Sequence, residues 1–147
     1  MLSEEVCCLP GACIKDVTER VERLVKPKDT YPFLLIHEGT NDTAHCSVEH
    51  MKRDYVALGK RVKDLGAQVV FSSVLLVNGR GLGRERKTMQ INDWLCHWCH
   101  RERFGFLDHG SRYRDEALLS EDGLHLSKMG KNVFAKGLVD RVRRALN

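Results

Sequence analysis

The chain has 147 residues and a net charge of +4, with 42% hydrophobic and 30% charged residues. This length suits one domain with a real core, and the composition excludes a collagen-like, fibrous or wholly disordered chain. The charge is mild, and Lys and Arg are interleaved with Asp and Glu, so weak attraction to polyanions is permitted but not dictated.

The chain order of apolar patterns predicts alternating strands and helices. Val6–Leu9 is a short apolar run stopped by Pro10-Gly11 and predicts a strand. Ile14, Val17, Val21 and Leu24 recur at helical spacing until Pro27. Phe33–Ile36 is apolar throughout, as expected of a strand covered on both faces. A loop is expected at Gly39–Asp42. Val48, Met51, Tyr55, Leu58, Val62 and Leu65 then step by threes and fours, with Gly66 placed to end the helix in a left-handed conformation. Ala67–Val77 reads as a buried strand, Asn78–Gly83 as a loop, and about Arg84 to Arg103 as a helix burying Ile91, Trp94, Leu95 and Trp98. Phe104–Leu107 is the expected last strand. A final helix runs from about Ser127, with Val133, Phe134, Leu138, Val142 and Leu146 inward. The pattern predicts one α/β domain over 1–147, a four-stranded parallel sheet with helices on both faces. The basic runs Arg84–Lys87 and Arg141–Arg144 read as solvated helix surfaces.

No apolar stretch is long enough for a signal peptide or a membrane span. An intracellular, cytoplasmic location is therefore expected, with the six cysteines reduced and no membrane partner.

Ligands of open parallel sheets bind beyond the carboxyl ends of the strands. Three loops of this pattern fall there. Asp122 and His125 stand close enough in sequence for the carboxylate to accept the imidazole Nδ1–H, which fixes the tautomer and leaves Nε2 as a general base. The competing interpretation is a surface histidine near a helix start. Gly39-Thr40-Asn41-Asp42 follows a buried strand, where Gly39 allows a sharp turn and the Asn41 amide can donate into the crevice; a plain turn with Asn41 or Asp42 capping is the alternative. Gly11 could offer a backbone N–H, and two converging donors make an oxyanion hole.

These motifs, in this order, resemble the SGNH or GDSL-type hydrolase superfamily. Gly11 matches its second block, Gly39-Thr40-Asn41-Asp42 its third, and Asp122-Gly-Leu-His125-Leu-Ser its fifth. Val-Cys-Cys-Leu-Pro-Gly-Ala, His-x-Gly-Thr-Asn-Asp-Thr-Ala and Val-Phe-Ser-Ser-Val-Leu are more particularly similar to the esterase-type domain of vertebrate non-LTR retrotransposon first open reading frames. The resemblance implies a flavodoxin-like three-layer α/β/α fold and ester hydrolysis without a metal or cofactor. His125 would be the base, Asp122 its orienting partner, Gly11 and Asn41 the oxyanion donors, and Gly39 and Asp42 the supporting loop. The family's first block, Gly-Asp-Ser on the first strand, has no counterpart. Ser3, Ser72, Ser73 and Ser127 do not replace it, so no nucleophile is assigned and the fold is expected to lack its first strand. Glu38 also departs from the aliphatic residue that the family tends to carry there. A missing central strand would leave an exposed sheet edge and favour self-association.

Two further patterns are set aside. Cys96-His97-Trp98-Cys99-His100 contains the haem-attachment spacing, but it lies within an amphipathic helix, and neither haem nor zinc is expected. Gly79-Arg-Gly81-Leu-Gly83 lacks dinucleotide-loop spacing. The functions left standing are an esterase-type domain acting on a small ester once the missing block is supplied, a non-catalytic remnant or binding module, and an accessory domain with weak RNA association.

Overall fold

A computed structural model describes residues 11–25 and 33–146, with side chains as far as Arg144. The expected strand Val6–Leu9 and the side chain of Leu146 lie outside the described residues. In chain order the elements are α1 (Ile14–Leu24), β1 (Phe33–Ile36), α2 (Thr40–His45), α3 (Val48–Lys63), β2 (Gln68–Ser72), α4 (Leu82–Glu102), β3 (Gly105–Leu107) and α5 (Lys128–Leu146). Two short 3-10 turns, Arg112–Arg114 and Glu116–Leu118, precede α5.

Among the described residues the sheet has three parallel strands in the order β1-β2-β3. Ile36 pairs with Phe71, and Phe71 with Phe106. Because side chains alternate along a strand, this register puts Leu34, Ile36, Val69, Phe71 and Phe106 on one face. There they meet Tyr55, Leu58 and Val62 of α3 and Ile91, Leu95 and Trp98 of α4. Each fully buried aliphatic of this cluster contributes roughly 1.5–3 kcal/mol of burial. On the opposite face Leu35, His37, Val70 and Ser72 look toward α5, where Phe134 lies 4.8 Å from the His37 ring. Helices therefore cover both faces, as the alternation of patterns requires. The architecture is the expected α/β arrangement.

Local chemistry sets several boundaries. Ser47 caps α3 by accepting from His50 N at 3.1 Å. Gly66 follows α3 with φ +74°. The expected strand Ala67–Val77 is corrected to Gln68–Ser72. Its continuation stops because the Asn92 side chain takes both backbone groups of Val74, donating to its carbonyl and accepting from its N–H, each at 2.8 Å. With its N–H occupied, Val74 cannot donate to a ladder.

The expected loop Gly39–Asp42 is also corrected: the chain turns at Gly39 and enters α2 at Thr40. Gly39 has φ +126°, and a Cβ there would stand 2.6 Å from the Tyr55 hydroxyl oxygen. Both the backbone and the space demand glycine. The basic run Arg84–Lys87 is not simply a solvated surface. Arg84 donates to Thr40 O at 3.0 Å, and Lys87 donates to Cys46 O at 2.7 Å, so α4 grips both ends of α2.

Candidate active site

Asp122 and His125 meet in a tight turn before α5. His125 Nδ1 lies 2.5 Å from Asp122 Oδ2, while Asp122 Oδ1 accepts the backbone N–H groups of Leu124 and His125 at 2.8 and 3.0 Å. An Asx-type turn thus aims the carboxylate at its own downstream imidazole. These bonds, the His125 side chain first, hold the Asp122 carboxyl at about 2. The His125 side chain is 78% exposed, so its Nε2 is open to a reacting partner. The turn is pinned at its base by backbone bonds from Ser120 N to His125 O and from Ser127 N to Leu118 O.

The second half of the site gathers around Asn41. Its Nδ2 donates to Ala12 O at 3.0 Å, which joins α2 to the turn at Gly11, where φ is +73°. That bond uses one amide hydrogen and leaves the second for a ligand oxygen. Asp42 is fully buried and accepts from Ile14 N at 3.1 Å, capping α1. Burial pushes its carboxyl up, and the Ile14 N–H opposes that shift. Glu38 lies two residues past β1, beside this group. Burial pushes its carboxyl up to about 7, although Gly39 N–H donates to it at 3.2 Å.

Among the described residues no hydrogen bond joins His125 directly to Asn41 or Gly11. The segment from Asn78 to Arg84 connects the two halves. Asn78 N and Gly79 N donate to Gly123 O at 3.1 and 2.9 Å, and Arg84 reaches back to Thr40 O and Thr43 Oγ1. Gly79 is required here, since a Cβ would stand 2.4 Å from Asp122 O.

No serine hydroxyl contacts His125 among the described residues. Ser120 and Ser127 donate to Leu126 O and Ala117 O. The serine that does touch imidazoles is Ser72. Its Oγ lies 2.9 Å from His37 Nδ1 and 2.6 Å from His109 Nε2, on the sheet face under α5. Sequence reasoning passed over this group because its members come from three separate segments. The available signal was period-two alternation, which sets His37 on the same face as Leu35.

Cys96 is exposed and Cys99 buried, and burial pushes the Cys99 thiol up to about 12. Among the described residues no group of three His, Cys, Asp or Glu side chains is placed to hold a metal ion. No described helix is long and apolar enough to cross a membrane.

No family model matches the sequence, and no curated protein matches it. Solved structures do. The esterase domain of the ZfL2-1 ORF1 protein from the zebrafish ZfL2-1 retrotransposon is 26% identical, with a TM-score of 0.61 over 93% of this chain and 83% of that one. A GDSL-like lipase from Bacteroides thetaiotaomicron is 16% identical, with a TM-score of 0.69 over 92% of this chain and 73% of that one. A psychrotrophic esterase, EstA, from Pseudoalteromonas sp. is 16% identical, with a TM-score of 0.71 over 93% and 74%. The chain shares the fold of the GDSL/SGNH-type esterases, including the retrotransposon esterase domain that its motifs resemble.

Proposed function

We propose that this chain carries the base and the oxyanion-binding part of a GDSL-type esterase site. In this reading His125 is the general base, Asp122 fixes its tautomer, and Asn41 and Gly11 donate to the oxyanion. The observation behind it is the 2.5 Å contact between Asp122 and an imidazole that is open to solvent. In ester hydrolysis the base takes the proton of the attacking hydroxyl as the tetrahedral intermediate forms, then returns it to the leaving alkoxide. The substrate class is a small ester, and this chemistry needs neither metal nor cofactor. The hydroxyl beside His125 is the part without a candidate among the described residues. Base and oxyanion donors without a nucleophile retain only a small part of the full acceleration.

The first test is hydrolysis of p-nitrophenyl acetate. The chain and its His125→Ala variant are expected to turn over equally, and joining a Gly-Asp-Ser strand ahead of Met1 is expected to produce activity that His125→Ala abolishes. Turnover by the chain itself, lost on changing one serine, would contradict the proposal. A second reading, a scaffold that binds without turnover, draws on the Asn41 amide already bonded to Ala12 O. It is favoured if the joined strand restores no activity although the protein stays folded.

A further inference from the structure

A concavity lies away from the Asp122–His125 turn. It opens between the segment after β3 and the carboxyl-terminal half of α5, with a volume of about 630 Å³. Its first lining residue on α5 is Gly137, about 14 Å along the helix from Lys128. A volume of this size suits a small ligand, for which roughly 300–1,000 Å³ is usual.

The charge around it is specific. Arg112 lines one wall and Arg143 and Arg144 the other, and none of the three forms an ion pair among the described residues. Asp108 and Asp140 also line it. One oxygen of Asp108 is engaged by Gly110 N at 2.8 Å. Three guanidiniums against two carboxylates leave one positive charge. His109 completes the lining, and its Nε2 is already on Ser72 Oγ, which leaves Nδ1 for a ligand or a proton.

We propose that this cavity binds a phosphate monoester, gripped by Arg112, Arg143 and Arg144, with His109 taking up one proton as the dianion enters. The proton makes the lining charge two, which balances a dianion; a phosphodiester carries one charge too few. Guanidinium forks match phosphate oxygens in geometry as well as charge. Burial holds His109 below its ordinary pKa, and Arg112 lowers it further against the pull of Asp108. The other groups around it are Ser72 from β2, Ser73, whose Oγ accepts from His109 N at 2.9 Å, Tyr113 and His37, with ring centres 5.7 and 5.8 Å away, and Phe134, Asp140, Arg143 and Arg144 from α5. A bound dianion would raise the His109 pKa, and binding would take up protons. This site does not depend on the esterase reading.

The test titrates the chain with adenosine monophosphate and with inorganic phosphate near neutral pH, by calorimetry and by NMR of the histidine rings. Saturable binding, a rise in the His109 pKa and a loss of about tenfold or more in affinity in Arg143→Ala and Arg144→Ala are expected, since a charge-assisted hydrogen bond is worth about 1.5–3 kcal/mol. Both arginines are exposed, so an unchanged thermal midpoint checks that the variants fold. A dinucleotide with only a diester linkage should bind more weakly. The proposal is overturned by no saturable binding at millimolar concentration, by undiminished affinity in folded arginine variants, or by equal affinity for the diester.

Discussion

Two of the regions that join an imidazole to an oxygen partner differ sharply in how far water reaches them. At the turn before α5, His125 meets Asp122 with its side chain 78% exposed. Under Phe134, His37 and His109 share the hydroxyl of Ser72, which is 1% exposed. In the first pair a carboxylate faces an accessible ring, which suits proton transfer to and from a substrate. In the second a single hydroxyl proton serves two rings, so one ring must donate to the Ser72 oxygen while the other accepts from it. Burial disfavours charge on both rings and holds the His37 pKa at about 4. The same functional groups thus give an accessible base in one place and, in the other, a half-buried pair that stays neutral unless His109 meets an anion.

The sharpest break of this contrast is by acid. A depressed histidine pKa means that the unfolded chain binds the proton more readily. The stability from neutral His37 is present above the unfolded value of 6.5 and is lost as pH falls through about 4. The full loss is about 3 kcal/mol for a shift of this size. Denaturant midpoints measured between those pH values should fall steeply, and His37→Gln should flatten that slope while weakening the protein at neutral pH. A wild-type slope unchanged by His37→Gln would mean that the half-buried His37 ring does not titrate as described.

Next in size is Ser72→Ala. It removes the shared partner of both half-buried rings and should cost about 1–3 kcal/mol, read as a lower urea midpoint at neutral pH. A fluorophosphonate should leave Ser72 unlabelled in the folded protein, because the hydroxyl is buried.

An effect of opposite sign separates Glu38 from the histidines. Its raised pKa means that stability from the neutral carboxyl is present below 4.5 and is lost as pH rises through about 7. Glu38→Gln should remove that decline and so steepen the net gain in stability between acid and neutral pH that His37 provides. A parallel shift of the whole profile would assign Glu38 no titrating role.

The smallest effect belongs to the exposed pair. Asp122→Asn and His125→Ala should leave the urea midpoint near that of the wild type, as surface substitutions usually do. A large fall in either would show the turn to be a structural element.

The helix pattern from Val48 was legible because its apolar residues repeat at helical spacing, and α3 begins there. The bounds of α1 and β1 also followed from apolar periodicity and from proline and glycine punctuation. The carboxyl end of β2 was not legible, since Val74–Val77 is as apolar as a strand and only Asn92, 18 residues away, takes its ladder groups. Likewise α2 hides behind a sequence with turn composition, and the grip of Arg84 and Lys87 on it is invisible along the chain.

The sequence by itself determined what is local: the alternation that makes an α/β fold, and the Asp122–His125 pairing, whose partners are only 3 residues apart. Only the tertiary structure decided that Asn41 lies against Ala12, that Asp42 caps a helix 28 residues earlier, and that Ser72 joins histidines 35 and 37 residues away. The physical reason is the range of the forces. Spacing records which side chains share a turn or a strand face, whereas burial and the partners that satisfy buried polar groups are set by segments that meet only when the sheet closes against its helices.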